Sequence, residues 1–277
     1  MPNILLRNPA LLASLKTALA QEQLSFVVQP KFSSALTIVG VEVLARWNSQ
    51  IYGRVSPEVF VPLAEANGLA SRLGDLAARY SAHCAATLAR HGRPIPVSVD
   101  ISASQIMEGG LRDKLLSLCS EFEILPGQLE LELTESALLQ DSRAIRGHMA
   151  SLSKAGFNIA LDDFGSGYSC LSYLRSFHFD TIKVDRMFLT GLGRDKRTKI
   201  LLTWVIGLCK SLRIDVVVEG VETYRQLLFL QQQEVDQLQG FLLSPPISLC
   251  SLLEDKRLHC ALSPESSVGF KALGGMS

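Results

Sequence analysis

Two aspartates, Asp162 and Asp163, stand side by side where an apolar run gives way to a glycine-containing loop in 160-ALDDFGSGYSC-170. Adjacent like charges lose hydration and repel each other unless something positive compensates them. A turn or a helix cap accounts for such a pair by itself, so its meaning depends on what else the chain brings to the same place. Glu42 in 41-VEVLAR-46, Asp100 in 97-VSVDIS-102, Glu132 in 129-LELEL-133 and Glu219 in 215-DVVVEGVE-222 all lie near the ends of apolar stretches, as does Lys183 in 181-TIKVD-185. Carboxylates gathered without histidine or cysteine suit hard divalent cations, Mg²⁺ first, then Mn²⁺ or Ca²⁺, and disfavour zinc. Such a centre with a lysine and an arginine beside it points to phosphoryl chemistry, in which the metal polarises a phosphate oxygen and lowers the pKa of a bound water.

Strands must carry these residues. Apolar runs of strand length recur at 24–32, 40–47, 96–102, 128–135, 157–163, 181–186, 215–222 and 238–246, with helical periodicity between them, as at 57–92 and 194–213. Strand alternating with helix implies an α/β fold with a mainly parallel sheet; eight strands with eight spacers imply a closed (β/α)8 barrel of TIM type. Side chains alternate between faces along a strand. Val41, Val43, Val97, Val99, Ile182 and Val184 then face outer helices, while Glu42, Arg46, Asp100, Glu132, Asp162, Lys183 and Glu219 face the axis. Barrels of this kind are ordinarily filled by branched apolar side chains. One buried carboxylate is usually a satisfied structural residue. Five, from five strands, at the end where barrel enzymes work, would destabilise the fold without a cation.

The whole chain agrees with that picture. Its 277 residues suit one barrel, which commonly needs about 250, and a content of 47% hydrophobic against 19% charged residues supports a large core. Lysine plus arginine equals aspartate plus glutamate at 27 each, which argues against a binder of DNA or RNA polymers. The six cysteines lack CxxC spacing and read as scattered thiols of a reducing compartment. The N-terminal sequence lacks the features of a secretion signal, and the apolar run 201-LLTWVIGLC-209 is too short to span a bilayer. A cytoplasmic location without membrane attachment is expected. The five histidines lie away from the acidic clusters and read as surface or packing residues.

The motifs 29-QPK-31, 40-GVEVLARW-47, 53-GRVSPEVFVPLAEANGL-69, 130-ELELTES-136, 161-LDDFGSGYS-169, 181-TIKVDRMF-188, 219-EGVET-223 and 239-QGF-241 occur in the order found in the EAL-domain family of cyclic di-GMP phosphodiesterases, which the chain resembles. The resemblance divides the chain into an N-terminal helical extension (1–19), the phosphodiesterase domain (20–255) and a C-terminal tail (256–277). It implies a modified barrel, often dimeric, that hydrolyses one phosphodiester bond of cyclic di-GMP to linear pGpG with metal-activated water. Mg²⁺ or Mn²⁺, one or two per subunit, would serve, with Ca²⁺ inhibitory. By the same resemblance Glu42, Asp100, Glu132, Asp162, Asp163 and Glu219 are metal ligands, Glu219 also assisting proton removal. Lys183 is similar to the lysine that holds the attacking water and the phosphate. Gln239 resembles the glutamine near that water, and Gln29 and Arg46 resemble substrate-contacting residues. Glu135 matches the glutamate that anchors the loop after Asp163. An upstream sensor or regulator is a further partner in keeping with the resemblance.

Departures from the family pattern are few. Val43 and Val218 replace alanines on helix-facing positions, a packing change that a compensated core accepts. The family's lysine after the barrel-closing glutamine is absent from 244-SPP-246. Asp100 stands where the family usually has asparagine: it still offers an oxygen to a cation, but adds a negative charge and loses an amide donor. The leading expectation is an active phosphodiesterase. The alternative is an impaired EAL domain that serves as a cyclic di-GMP receptor or a protein-interaction module. A Schiff-base role for Lys183 is disfavoured, because so many carboxylates would keep it protonated.

Overall fold

Alternation of apolar and polar residues along the strands is realised as a closed barrel. The computed structural model describes residues 8–138, 142–165, 170–192 and 195–258. Its strands are β1 (Ser25–Phe32), β2 (Ile38–Ser49), β3 (Gly53–Val55), β4 (Val97–Asp100), β5 (Leu129–Thr134), β6 (Asn158–Phe164), β7 (Thr181–Val184), β8 (Asp215–Val218) and β9 (Gln237–Leu238). The spatial order is β1-β9-β8-β7-β6-β5-β4-β2-β3, and pairing of β1 with β2 closes eight strands into the barrel, leaving β3 as a hairpin extension of β2. Neighbours from β2 through β4 and on to β9 are parallel. β1 is antiparallel to both of its neighbours.

The eight expected strands are present, but their spacers and ends differ from expectation. Only residues 33–37 separate β1 from β2, too few for a crossover helix, so the chain turns back as an antiparallel hairpin. The helix expected over 57–92 is two, Pro57–Ala66 and Ala70–Arg90. Asn67 Nδ2 donates to the Leu63 carbonyl, and Gly68 adopts a φ of +69°, which ends the first helix. The last strand is shorter than 238–246: after Leu238, Gly240 packs so tightly on the Val221 backbone that a Cβ would collide there. The chain then passes Pro245 and Pro246, which cannot donate to a ladder.

The outward faces carry the core. Val41, Val97, Val99, Leu129, Ile182 and Val216 are fully shielded beneath helices such as Ala70–Arg90 and Lys196–Leu212. A second cluster joins Leu11, Leu15 and Leu19 of the helix Pro9–Ala20 to Trp47, Phe60 and Leu63. Asn8 caps that helix by accepting from the backbone N–H groups of Ala10 and Leu11. Cys84, Cys119 and Cys209 are buried free thiols, pushed up by burial to about 12, 11 and 12. Among the described residues no helix is long and apolar enough to cross a membrane. Gly167 of the glycine loop, and the tail from 259 onward, lie outside the described residues.

Candidate functional site

Strand parity delivers polar side chains to the barrel axis in two tiers. In the lower tier Glu130 accepts from Ser98 Oγ at 2.6 Å and from Thr181 Oγ1 at 2.7 Å, and pairs with Lys31 Nζ at 2.8 Å. In the upper tier Lys183 Nζ lies 2.5 Å from Glu132 Oε2, 2.9 Å from Glu219 Oε1, 3.0 Å from Asp162 Oδ1 and 3.4 Å from Glu42 Oε1. Gln239 Nε2 donates to Glu42 Oε2 at 2.6 Å. Asp100, level with Glu132 in the ladder, stands at the mouth: the residue is exposed, but a carboxylate oxygen turns in to within 4.8 Å of those of Glu42 and Glu132.

The paired aspartates reach this tier through a defect in the sheet. Between β6 and β7 the register runs from Leu161↔Ile182 to Phe164↔Val184, so Asp162 and Asp163 together oppose the single residue Lys183. This is a β-bulge, which bends one strand and redirects its side chains. Asp163 takes a φ of +55°, a left-handed backbone that costs a non-glycine residue roughly 1–2 kcal/mol. Strict alternation would send the two carboxylates to opposite faces. The bulge instead brings oxygens of Asp162, Asp163 and Glu219 within 4.8 Å of one another, and Glu42, Asp100 and Glu132 form a second such group.

Gly165, which follows the bulged strand, is tied down from β5. Glu135, buried just past that strand, accepts from the Gly165 N–H at 3.2 Å. Gly165 has a φ of +96°, and a Cβ on it would collide with the ring of Phe188. Glycine is required there.

The electrostatics are those of an undercompensated cluster. Burial pushes the Glu219 carboxyl up to about 8 despite Lys183 beside it. Burial raises Glu42 as well, only partly offset by Lys183. Desolvation at the crowded mouth, then repulsion from Glu42, Glu132 and Asp162, lifts Asp100 well above the carboxylate range. Asp163 rises to about 6 through desolvation and Asp162. Glu132 goes the other way: burial opposes its charge, but Lys183 and Lys31 together hold it down to about 2. Lys183 stays protonated, since Asp162, Glu132 and Glu219 more than offset its desolvation. A neutral amine for Schiff-base chemistry is therefore disfavoured.

The remaining residues sit closer to the rim. Gln29 is buried and donates to the Ser244 carbonyl at 3.3 Å. Arg46 is half-buried, donates to the Ala45 carbonyl at 2.9 Å, and lies further along β2 than Glu42. It makes no ion pair with the carboxylates of the upper tier. Lys31, to which the sequence motifs assign no role, joins the site from 29-QPK-31; it shares a face with Gln29, a signal blurred by the unbroken run 26-FVV-28.

This donor set fits a divalent cation. Every candidate ligand is a carboxylate oxygen, as hard ions require, and Asp162 Oδ1 is shielded from solvent yet has no hydrogen-bond partner. Six axial carboxylates (Glu42, Asp100, Glu130, Glu132, Asp162, Glu219) meet the two ammonium groups of Lys31 and Lys183. Protons on the raised carboxyls or a bound cation would make up the difference.

A closed barrel with one antiparallel strand and a carboxylate–lysine cluster at its mouth defines a class of domain equipped for divalent cations. The EAL domain family matches residues 12–246, and the chain belongs to that family. It is 34% identical over 248 residues to the cyclic di-GMP phosphodiesterase NbdA and 35% identical over 247 residues to the cyclic di-GMP phosphodiesterase PA2567, both of Pseudomonas aeruginosa. Each match covers 88% of this chain but only 32% and 42%, respectively, of those relatives. Among solved structures, the MucR phosphodiesterase in complex with c-di-GMP is similar with a TM-score of 0.82 at 33% identity, over 88% of this chain and 99% of that one. The FimX EAL domain from Pseudomonas aeruginosa bound to c-di-GMP shares the fold, with a TM-score of 0.77 at 21% identity over 85% and 95% of the two chains.

Proposed function

We propose that the chain is an active phosphodiesterase that cleaves one phosphodiester bond of cyclic di-GMP to give linear pGpG. The observation that carries this reading is the complete upper tier, in which two carboxylate trios flank one buried lysine. Glu42, Asp100 and Glu132 would hold one Mg²⁺ or Mn²⁺, and Asp162, Asp163 and Glu219 a second. Bound there, such ions would polarise a phosphate oxygen and acidify a water.

The chain's own residues then have distinct tasks. Lys183 carries three N–H donors; with its carboxylate neighbours neutralised, it turns them toward the phosphate oxygens as negative charge develops. Glu219 would accept a proton from the attacking water as the phosphorus–O3′ bond breaks, and the departing 3′ oxygen would take up a proton from solvent at the barrel mouth. Gln239 fixes Glu42 through its amide nitrogen and keeps Oε1, buried without a partner, as an acceptor for that water. Gln29 and Arg46 hold the substrate at the rim so that attack and departure lie in line. Glu135 holds the backbone from which Asp163 projects.

Asp100 favours a second reading. Its extra charge weakens the pull of a bound cation on phosphate, and an impaired domain that binds cyclic di-GMP as a receptor is the outcome if that loss is large. The test is incubation of purified protein with cyclic di-GMP and Mg²⁺ or Mn²⁺, following pGpG by chromatography, with excess Ca²⁺ as an expected inhibitor. Intact nucleotide with either metal, alongside measurable nucleotide binding, selects the receptor.

A further inference from the structure

We propose that Lys31 is a positioning residue: it locks the Glu132 carboxylate so that Oε1 is held in the barrel's depth and Oε2 faces the cation site. The claim that Glu132 is a metal ligand rests on the phosphodiesterase reading above; the locking rests on geometry.

The two axial lysines differ in how their donors are used. Lys31 Nζ is 2.6 Å from Ser98 Oγ, 2.8 Å from Glu130 Oε1 and 2.8 Å from Glu132 Oε1. An ammonium has three protons, so these three acceptors saturate it. Its side chain is 1% exposed. The Ser98 hydroxyl donates a hydrogen bond to Glu130 Oε1, and that of Thr181 donates to Glu130 Oε2. Every partner in this lower tier is satisfied, so the arrangement has one low-energy geometry. Lys183, by contrast, faces four carboxylates and cannot serve them all. It is free to exchange partners when a cation arrives.

Glu132 is where the two tiers meet. Its Oε1 belongs to Lys31 and its Oε2 to Lys183. Because Lys31 is saturated, Oε1 stays pinned when Lys183 lets go, and Oε2 is the oxygen left for a cation. Core filling alone does not account for Lys31. Replacing a buried ion pair by packed apolar side chains is often neutral or stabilising, and barrel axes are commonly filled that way. The family of contacts instead matches an outer-shell partner that orients a ligand, whose loss typically weakens metal affinity or activity about 10–100-fold.

Two experiments test this. Lys31→Met alone would leave Glu130 without a counter-ion and Glu132 with Lys183 alone, so the informative variant is Lys31→Met/Glu130→Gln, which removes one charge of each sign. Its reference is Glu130→Gln, which keeps the Lys31–Glu132 contact. Mn²⁺ binding is read by electron paramagnetic resonance, and melting by circular dichroism. The expected result is about a tenfold or greater loss of Mn²⁺ affinity in the double variant relative to Glu130→Gln, with turnover recovering toward that of the reference at high Mn²⁺. Equal affinity in the two overturns the proposal, as does a turnover loss that Mn²⁺ does not repair. Independently of any variant, the wild-type lysine ammonium ¹⁵N resonances are followed through a Mg²⁺ titration. Lys31 should keep its slowly exchanging signal unshifted while Lys183 moves; a Lys31 signal that shifts or broadens with Lys183 overturns the lock. If wild-type protein binds no Mn²⁺ at all, the phosphodiesterase reading itself fails, a result distinct from equal affinities.

Discussion

The ammonium of Lys183 lies 3.0 Å from Asp162 Oδ1, yet that buried oxygen receives no hydrogen bond. The lysine supplies charge there without a directed donor, which is how a side chain behaves when it stands in for a cation. Lys183→Met should therefore leave Mn²⁺ binding intact or tighter, because a competing positive charge is gone. Turnover should fall about 10²–10³-fold or more, as when one donor to a developing oxyanion is removed. Glu42→Ala should lose both binding and turnover. Calorimetric Mn²⁺ titration beside a pGpG assay separates these outcomes, and weaker Mn²⁺ binding by Lys183→Met would count against the stand-in role.

Asp100 shares a 4.8 Å cluster with Glu42 and Glu132, and its carboxyl is lifted well above the ordinary range by desolvation and those neighbours. Asp100→Asn keeps an oxygen ligand and removes one charge. The metal-free protein should melt slightly higher, because one like charge leaves the cluster it forms with Glu42 and Glu132. Metal affinity should drop several-fold while the rate at saturating Mg²⁺ rises. A lower saturated rate would mean that the aspartate assists catalysis rather than restraining it.

Strand parity alone makes much of this site legible in the sequence. In β2, β4, β5 and β7 each inward polar residue alternates with a buried aliphatic one, so Glu42, Asp100, Glu132 and Lys183 could be assigned to the axis from their spacing. Two features could not be read. The bulge at Asp162 and Asp163 is a register shift between two strands, and a single sequence carries no register. Lys31 lies on β1, the antiparallel strand of the closed barrel, where two consecutive valines hide the alternation. Strand ends were overrun for a local reason: Asp185 accepts from the Met187 N–H at 2.7 Å and starts a 3-10 turn just past β7.

The contact from Glu135 Oε1 to the Gly165 N–H makes a graded prediction about the loop. Glu135→Gln retains an acceptor oxygen and should keep much of the activity. Glu135→Ala leaves a part-buried N–H unpaired, at a cost of about 1–3 kcal/mol, and should cut turnover far more than it cuts cyclic di-GMP binding. Gly165→Ala should be worse than either, because its left-handed φ and the Phe188 ring both exclude a Cβ. Equal turnover in the Gln and Ala variants would show that the contact does not organise Asp163.

Stability should depend on pH in a direction fixed by the raised carboxyls. Glu219 rises from 4.5 to about 8, and Asp163 and Asp215 from 3.8 to about 6, each chiefly through burial, with Lys183 opposing the rise at Glu219 and neighbouring aspartates adding to it at the other two. Each binds its proton more tightly in the folded chain, so between the unfolded and folded values the native state carries more protons and stability falls as pH rises. Glu132, held down to about 2 by Lys183 and Lys31 against its burial, acts oppositely: its contribution is complete above 4.5 and is lost on acidification toward 2. Lys31 and Lys183 have raised values and titrate above this window. For these groups the two limbs balance at about pH 4 or just below, so the metal-free protein should melt higher at pH 5 than at pH 8 and weaken steadily between them. Mg²⁺ or Mn²⁺ should raise the melting temperature more at pH 8 than at pH 5, because a cation competes with protons for the same oxygens and releases them on binding. Differential scanning fluorimetry across this range, with chelator or metal, checks both limbs. A metal-induced shift that is larger at pH 5 would contradict the assignment of these carboxylates as ligands.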